Sequence, residues 1–176
     1  MTEPEVSLRL AIYYIKNHLT EQDVKVSIDG AQIKIGKTFH FDIKGFLSEN
    51  HCEKTDGDFD RWQGQYCITG QKAKIIIESI PGYGDVQILL QNGKTLFVES
   101  KKSKHGKSSQ EYPLMREAIG QLMTSSFMNE QTIPAVAVPY TKKSLELAKR
   151  WSKLELIQKT GIRFILVQDN GNIVTV

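Results

Sequence analysis

The sequence predicts an α/β fold, a mixed central sheet flanked by helices. Three observations carry that reading. From residue 73 onward, short apolar runs bounded by turn residues alternate with two segments of helical periodicity. Their order, β-β-β-α-β-α-β-β, is the alternation that covers a sheet with helices. Finally, 40% hydrophobic and 24% charged residues over 176 positions is the composition of a folded chain, not a disordered one.

The elements follow in order. Residues 4–19 place Val6, Leu8, Leu10, Ile12, Tyr13, Ile15 and Leu19 at three- and four-residue steps, which predicts a helix. VKVSIDGAQIKI and TFHFDIKGFL alternate apolar and polar residues and predict strands, with Asp29-Gly30 as a hairpin turn in the first. Residues 48–72 are polar, with TDGDFD, Gly64 and Gly70 as turn chemistry, and read as a mobile loop or variable insertion. AKIIIESI and VQILL, separated by Pro81-Gly82-Tyr83-Gly84, are rich enough to be strands buried on both faces. TLFVESK follows the hairpin signal Asn92-Gly93. Residues 112–128 predict an amphipathic helix with Pro113 in its first turn, and TIPAVAV a strand. KSLELAKRWSKLELIQKT predicts one helix, with Trp151 in the core and Gly161 as its C-cap, before the strands IRFILVQ and NIVTV. The expected organisation is one domain over 1–176: residues 1–72 supply an N-terminal helix, strands and a variable loop, and 73–176 the core.

Several classes fall away. No apolar run reaches the roughly eighteen residues of a membrane span, and the acidic N-terminus has no small-residue cleavage site, so neither membrane nor leader is expected. Cys52 and Cys67 form no framework and read as reduced thiols of a cytoplasmic protein. His18, His40, His51 and His105 lack zinc spacing, and no phosphate-loop or serine-elbow motif is present. Net charge is only +3, yet Lys101, Lys102, Lys104, His105 and Lys107 crowd one segment, and Lys142, Lys143, Lys149, Arg150 and Lys153 another. Most such runs are solvated faces.

Three ionisable residues stand where a packed sheet does not want them: Asp85 opening VQILL, and Glu99 and Lys101 ending TLFVESK. Register decides whether the acids meet. A two-residue loop at Asn92-Gly93 sets Asp85 opposite Ser100 and turns Glu99 away. A three-residue loop with Gly93 in the left-handed bulge position sets Asp85 opposite Glu99, with Cβ atoms ~5 Å apart. Two carboxylates about 4 Å apart repel by roughly 4 kcal/mol at an effective dielectric near 20, so such a pair requires a proton, a base or a divalent cation. Oxygen ligands with open positions suit Mg²⁺ or Mn²⁺. Lys101 is then placed to orient a water, or to deprotonate it if its pKa is depressed, and these are parts for phosphodiester hydrolysis.

The stretch IPGYGDVQILLQNGKTLFVESKK resembles the core motif of the PD-(D/E)XK, or restriction-endonuclease-like, nuclease superfamily. Asp85 matches the acid opening the second core strand and Glu99-Ser100-Lys101 the Glu-x-Lys, with thirteen residues between the acids. Gly84 stands where the motif's name has Pro. The resemblance covers roughly 73–139. It implies a restriction-endonuclease-like core and a metal-dependent nuclease in which Asp85, Glu99 and the main-chain carbonyl of Ser100 bind Mg²⁺ while Lys101 assists the attacking water. It further implies an acid from an earlier element. Glu78, otherwise a charge among isoleucines, is the first choice and Glu5 the alternative. Gln121, an i, i+4 neighbour of Glu117 on the helix after Glu-x-Lys, is a further site candidate. Lys102, Lys104, Lys107, Lys142 and Lys143 are the expected contacts to DNA phosphates. The expected function is a Mg²⁺-dependent deoxyribonuclease, an endonuclease, acting by analogy as a homodimer. The rival is a nucleic-acid-binding or assembly subunit of the same fold without turnover.

Overall fold

The computed structural model describes residues 1–80, 82–103 and 110–176. Its centre is a nine-stranded mixed sheet in the order β11-β10-β9-β8-β7-β1-β6-β5-β4. These strands are β1 (Val24–Ser27), β4 (Cys52–Asp56), β5 (Gly64–Ile68), β6 (Lys74–Glu78), β7 (Val86–Leu89), β8 (Thr95–Ser100), β9 (Thr132–Pro139), β10 (Arg163–Val167) and β11 (Ile173–Thr175). A separate ribbon pairs β2 (Lys34–Ile35) with β3 (Thr38–Phe39).

Helices cover both faces. On one lies α1 (Glu3–Lys16), started by the Thr2 hydroxyl accepting from the Glu5 N–H, with Pro4 in its first turn. It buries Val6, Leu8, Leu10, Ala11, Ile12 and Ile15 against Val26, Ile75, Ile77, Val86 and Val98. Leu19, expected on this helix, lies beyond its end and is exposed. On the other face α4 (Glu111–Thr124) crosses from β8 to β9. Next, α5 (Lys142–Trp151) and α6 (Glu155–Thr160) cross from β9 to β10. Both crossovers join parallel neighbours, as helical connections do. Phe97, Met115, Leu122, Leu147, Trp151 and Phe164 form this second core.

Several expectations are corrected here. Asp29-Gly30 makes no hairpin: the Asp29 carboxylate caps the short helix α2 (Gly30–Ile33) by accepting from the Ala31 N–H. β1 already has both neighbours, β6 and β7, so no local partner strand is called for. TFHFDIKGFL yields only the two residues of β3. Asp42 then caps α3 (Ile43–Glu49), whose Ile43, Phe46 and Leu47 fall at helical spacing. The supposed loop 48–72 contains the hairpin β4–β5 at the sheet edge, where one open face lets polar residues alternate with buried Cys52, Tyr66 and Ile68.

β6 and β7 are not neighbours, because β1 runs between them, and each buries one face only. α4 stops at Thr124, since Phe127 leaves the helix to stack beside Phe97 and Tyr83, with ring centroids 6.0 and 4.8 Å away. The last predicted helix is two, broken after Trp151, which is buried edge-on to Phe164 and Tyr112. Gly161 does cap it, at φ +69°. Both cysteines are free thiols, and among the described residues no helix is long and apolar enough to cross a membrane.

Candidate active site

The β7–β8 turn decides the site. The Leu90 N–H donates to the Lys94 carbonyl at 2.9 Å, Gly93 takes φ +80°, and Leu89 faces Thr95. This is the three-residue loop, and its register carries Asp85 to the level of Glu99. The Asp85 N–H donates to the Val98 carbonyl, and its carboxylate Oδ2 accepts the Ser100 N–H at 2.6 Å. Both acids line one cleft of about 640 Å³ together with Ser27, Asp29, Gln32, Gln121 and Ser125.

Electrostatics mark the pair. Burial, and next the Glu99 charge, push the Asp85 carboxyl up to about 7. The Ser100 N–H and Lys101 oppose this without cancelling it. Burial also raises the Glu99 pKa, helped by Glu3 and Glu117 against Lys101. Two carboxylates line this cleft, and the one cation that acts on both, Lys101, does not offset what raises them.

Lys101 is buried at the end of β8, where its Nζ meets Glu117 of α4 at 3.1 Å and Glu3 of α1 at 3.7 Å. It therefore bridges the two helical layers. Burial alone lowers its pKa, but the three carboxylates Glu3, Glu117 and Asp85 outweigh that and raise it. This direction is opposite to the depressed pKa that a base at Lys101 would need, and favours the charged ammonium.

The other candidates separate. Glu78 lies across β1 from β7, two strand spacings or roughly 10 Å from the Asp85 strand, and lines a second cleft with Asp56, Asp58 and Arg61. It is half-buried, not a charge enclosed by isoleucines. Glu5 is held by Arg9 at 3.0 Å. The acid from the first helix that reaches the cluster is Glu3, whose Oε1 faces Lys101 while Oε2 accepts from the Gln32 amide at 2.5 Å. A signal for it exists in the sequence. Ser7, a hydroxyl within an apolar helix, donates to Ser100 at 2.8 Å, and Glu3 sits four residues earlier on that same face.

Gln121 lines the cleft from an exposed position on α4, not from among apolar neighbours. Lys102 and Lys142 are exposed, and Lys143 is paired with Glu146 at 3.0 Å. Lys104 and Lys107 lie outside the described residues.

Gly84 explains the departure from proline before Asp85. Its φ is +67°, which proline cannot adopt, and a Cβ there would stand 2.6 Å from the Phe97 ring.

Among the described residues, no three His, Cys, Asp or Glu side chains converge as a ready ligand group. The donor set on the page is two carboxylates and a peptide group. Because Ser100 turns its N–H toward Asp85, backbone alternation puts its carbonyl on that same strand edge. Such hard oxygen donors fit Mg²⁺ or Mn²⁺. No family model matches the chain, and neither curated proteins nor solved structures give a match.

Proposed function

We propose that this chain is a Mg²⁺- or Mn²⁺-dependent nuclease with a restriction-endonuclease-like core, hydrolysing DNA phosphodiester bonds as an endonuclease. One observation carries the reading: the three-residue β7–β8 turn gathers Asp85 and Glu99 on one cleft wall, with the Lys101 ammonium close enough to shift both.

Asp85, Glu99 and the Ser100 carbonyl would hold the ion, and Glu3 serves as a positioning residue, since its oxygens are taken by Lys101 and Gln32. A bound divalent ion would offset the carboxylate repulsion, acidify a water and stabilise charge on the phosphate. Lys101, kept protonated, donates rather than accepts: it orients the attacking water and neutralises developing phosphate charge. Gln121 adds an amide at the cleft mouth. By analogy with nucleases that cut both strands, the chain would act as a homodimer. The rival, a DNA-binding subunit without turnover, is favoured by a single fact: Lys101 is already engaged by two carboxylates.

A cleavage assay on supercoiled, linear, single-stranded and branched DNA, titrated with Mg²⁺ and Mn²⁺, tests the reading. The pure protein should nick in a metal-dependent way, and Asp85→Ala and Lys101→Ala, verified as folded by thermal melts, should abolish it. No cleavage of any form, with DNA binding retained, would establish the rival.

A further inference from the structure

Residues 34–40 form a ribbon whose every side chain is exposed, Ile35 at 60% and Phe39 at 69%. Lys34 pairs with Phe39 and Ile35 with Thr38, around a turn at Gly36 and Lys37. Cross-strand partners share a face, so each face carries one large apolar side chain with no cover from this chain. The ribbon's formal charges are both positive, Lys34 and Lys37, with no acid among the seven residues. The Lys34 ammonium lies 4.5 Å from the Phe39 ring centroid, so charge and aromatic surface are presented together.

Its root is the candidate active site. Ile33 is buried, and its carbonyl accepts the His40 N–H at 2.9 Å, closing the base of the ribbon. The preceding turn of chain supplies Asp29 and Gln32 to the cleft wall, and Gln32 is bonded to Glu3. From base to tip the ribbon spans three residue steps, about 10 Å. The major groove of duplex DNA is roughly 8.5 Å deep and 12 Å wide, and admits a two-stranded ribbon.

We propose that the Lys34–Phe39 ribbon grips duplex DNA in its major groove, Lys34 and Lys37 supplying the charge that meets phosphates and Ile35 and Phe39, one on each face, the apolar contacts to the groove. This rests on the nuclease reading above and names the part that holds its substrate. Charge selects that occupant. DNA phosphates complement Lys34 and Lys37, and the uncovered Ile35 and Phe39 beside them supply apolar contact.

The test measures binding of the full chain to a short labelled duplex in EDTA at several salt concentrations, beside cleavage in Mg²⁺. Lys34→Glu combined with Lys37→Glu should weaken binding at least tenfold and cut the salt slope by about two, at about 0.9 per phosphate contact. Ile35→Ala combined with Phe39→Ala should weaken binding severalfold at an unchanged slope. In cleavage, both pairs should raise KM and spare kcat, and leave Mn²⁺ affinity unchanged. Charge-reversed protein that binds and cuts like the original would overturn the inference and leave the nuclease reading intact. Duplex binding lost on charge reversal, in a protein that cuts no DNA, would overturn the nuclease reading and uphold the ribbon. No duplex binding by the original protein, or loss of self-association rather than of DNA affinity in the Ile35/Phe39 variant, would overturn the inference.

Discussion

An ionised Asp85 is opposed first by burial and then by the neighbouring Glu99 charge. Below about pH 3.8 the folded and unfolded chains both hold its proton. Between there and about 7 only the folded chain does, so the proton's contribution to stability is lost as pH rises through that window. The metal-free protein should therefore lose stability across it, and Asp85→Asn should flatten the curve. Mn²⁺ should stabilise the original protein at pH 8 and leave the variant unmoved. Urea unfolding at a series of pH values reads this directly, and superimposable curves would contradict it. At this scale the sequence disclosed Asp85, Glu99 and Lys101, because charges at the ends of apolar strands stand out. It did not disclose the ion pairs of Lys101, which depend on Glu3 and Glu117 arriving from two helices on opposite faces. Nor did it favour Glu3 over Glu5 and Glu78, since that choice turns on helix phase against the sheet and on β1 separating β6 from β7.

The element that brings the two acids together is a hairpin, and its two glycines differ in kind. Gly93 has φ +80° with nothing within 4 Å of a Cβ, so Gly93→Ala carries backbone strain alone, about 1 kcal/mol. Gly84 has φ +67° and the Phe97 ring in the way, so Gly84→Ala adds overpacking and should cost about 3 kcal/mol. Chemical denaturation separates them, and equal costs would show that the Phe97 contact does not constrain the entry to Asp85. Asn92-Gly93 announced a turn, but its length, on which the meeting of the acids depends, is settled by the Leu90–Lys94 pairing. Elements from residue 73 were mostly legible because their apolar runs are long. The 20–72 region was not: Asp29 and Asp42 act as helix caps where they resemble turn residues, and β4–β5 are edge strands with polar open faces.

Across the whole molecule, the sheet is not a core with an appendage. β1 fills the gap between β6 and β7, β4 and β5 extend the sheet beyond β6, and α1 packs over the strands of both halves. The division at residue 72 therefore has no counterpart in the packing, since pairing between distant segments leaves little local signal. What this assembly accomplishes is convergence: Ser27 of β1, Asp29 and Gln32 at α2, Asp85 at the entry to β7, Glu99 of β8 and Gln121 of α4 line a single cleft, and Glu3 of α1 and Glu117 of α4 meet at Lys101. The most direct measurement is anomalous diffraction from a crystal of this protein soaked in manganese. The account predicts one strong peak between the Asp85 and Glu99 carboxylates, within reach of the Ser100 carbonyl. A saturating soak with no peak there, or with the ion bound elsewhere, would contradict it.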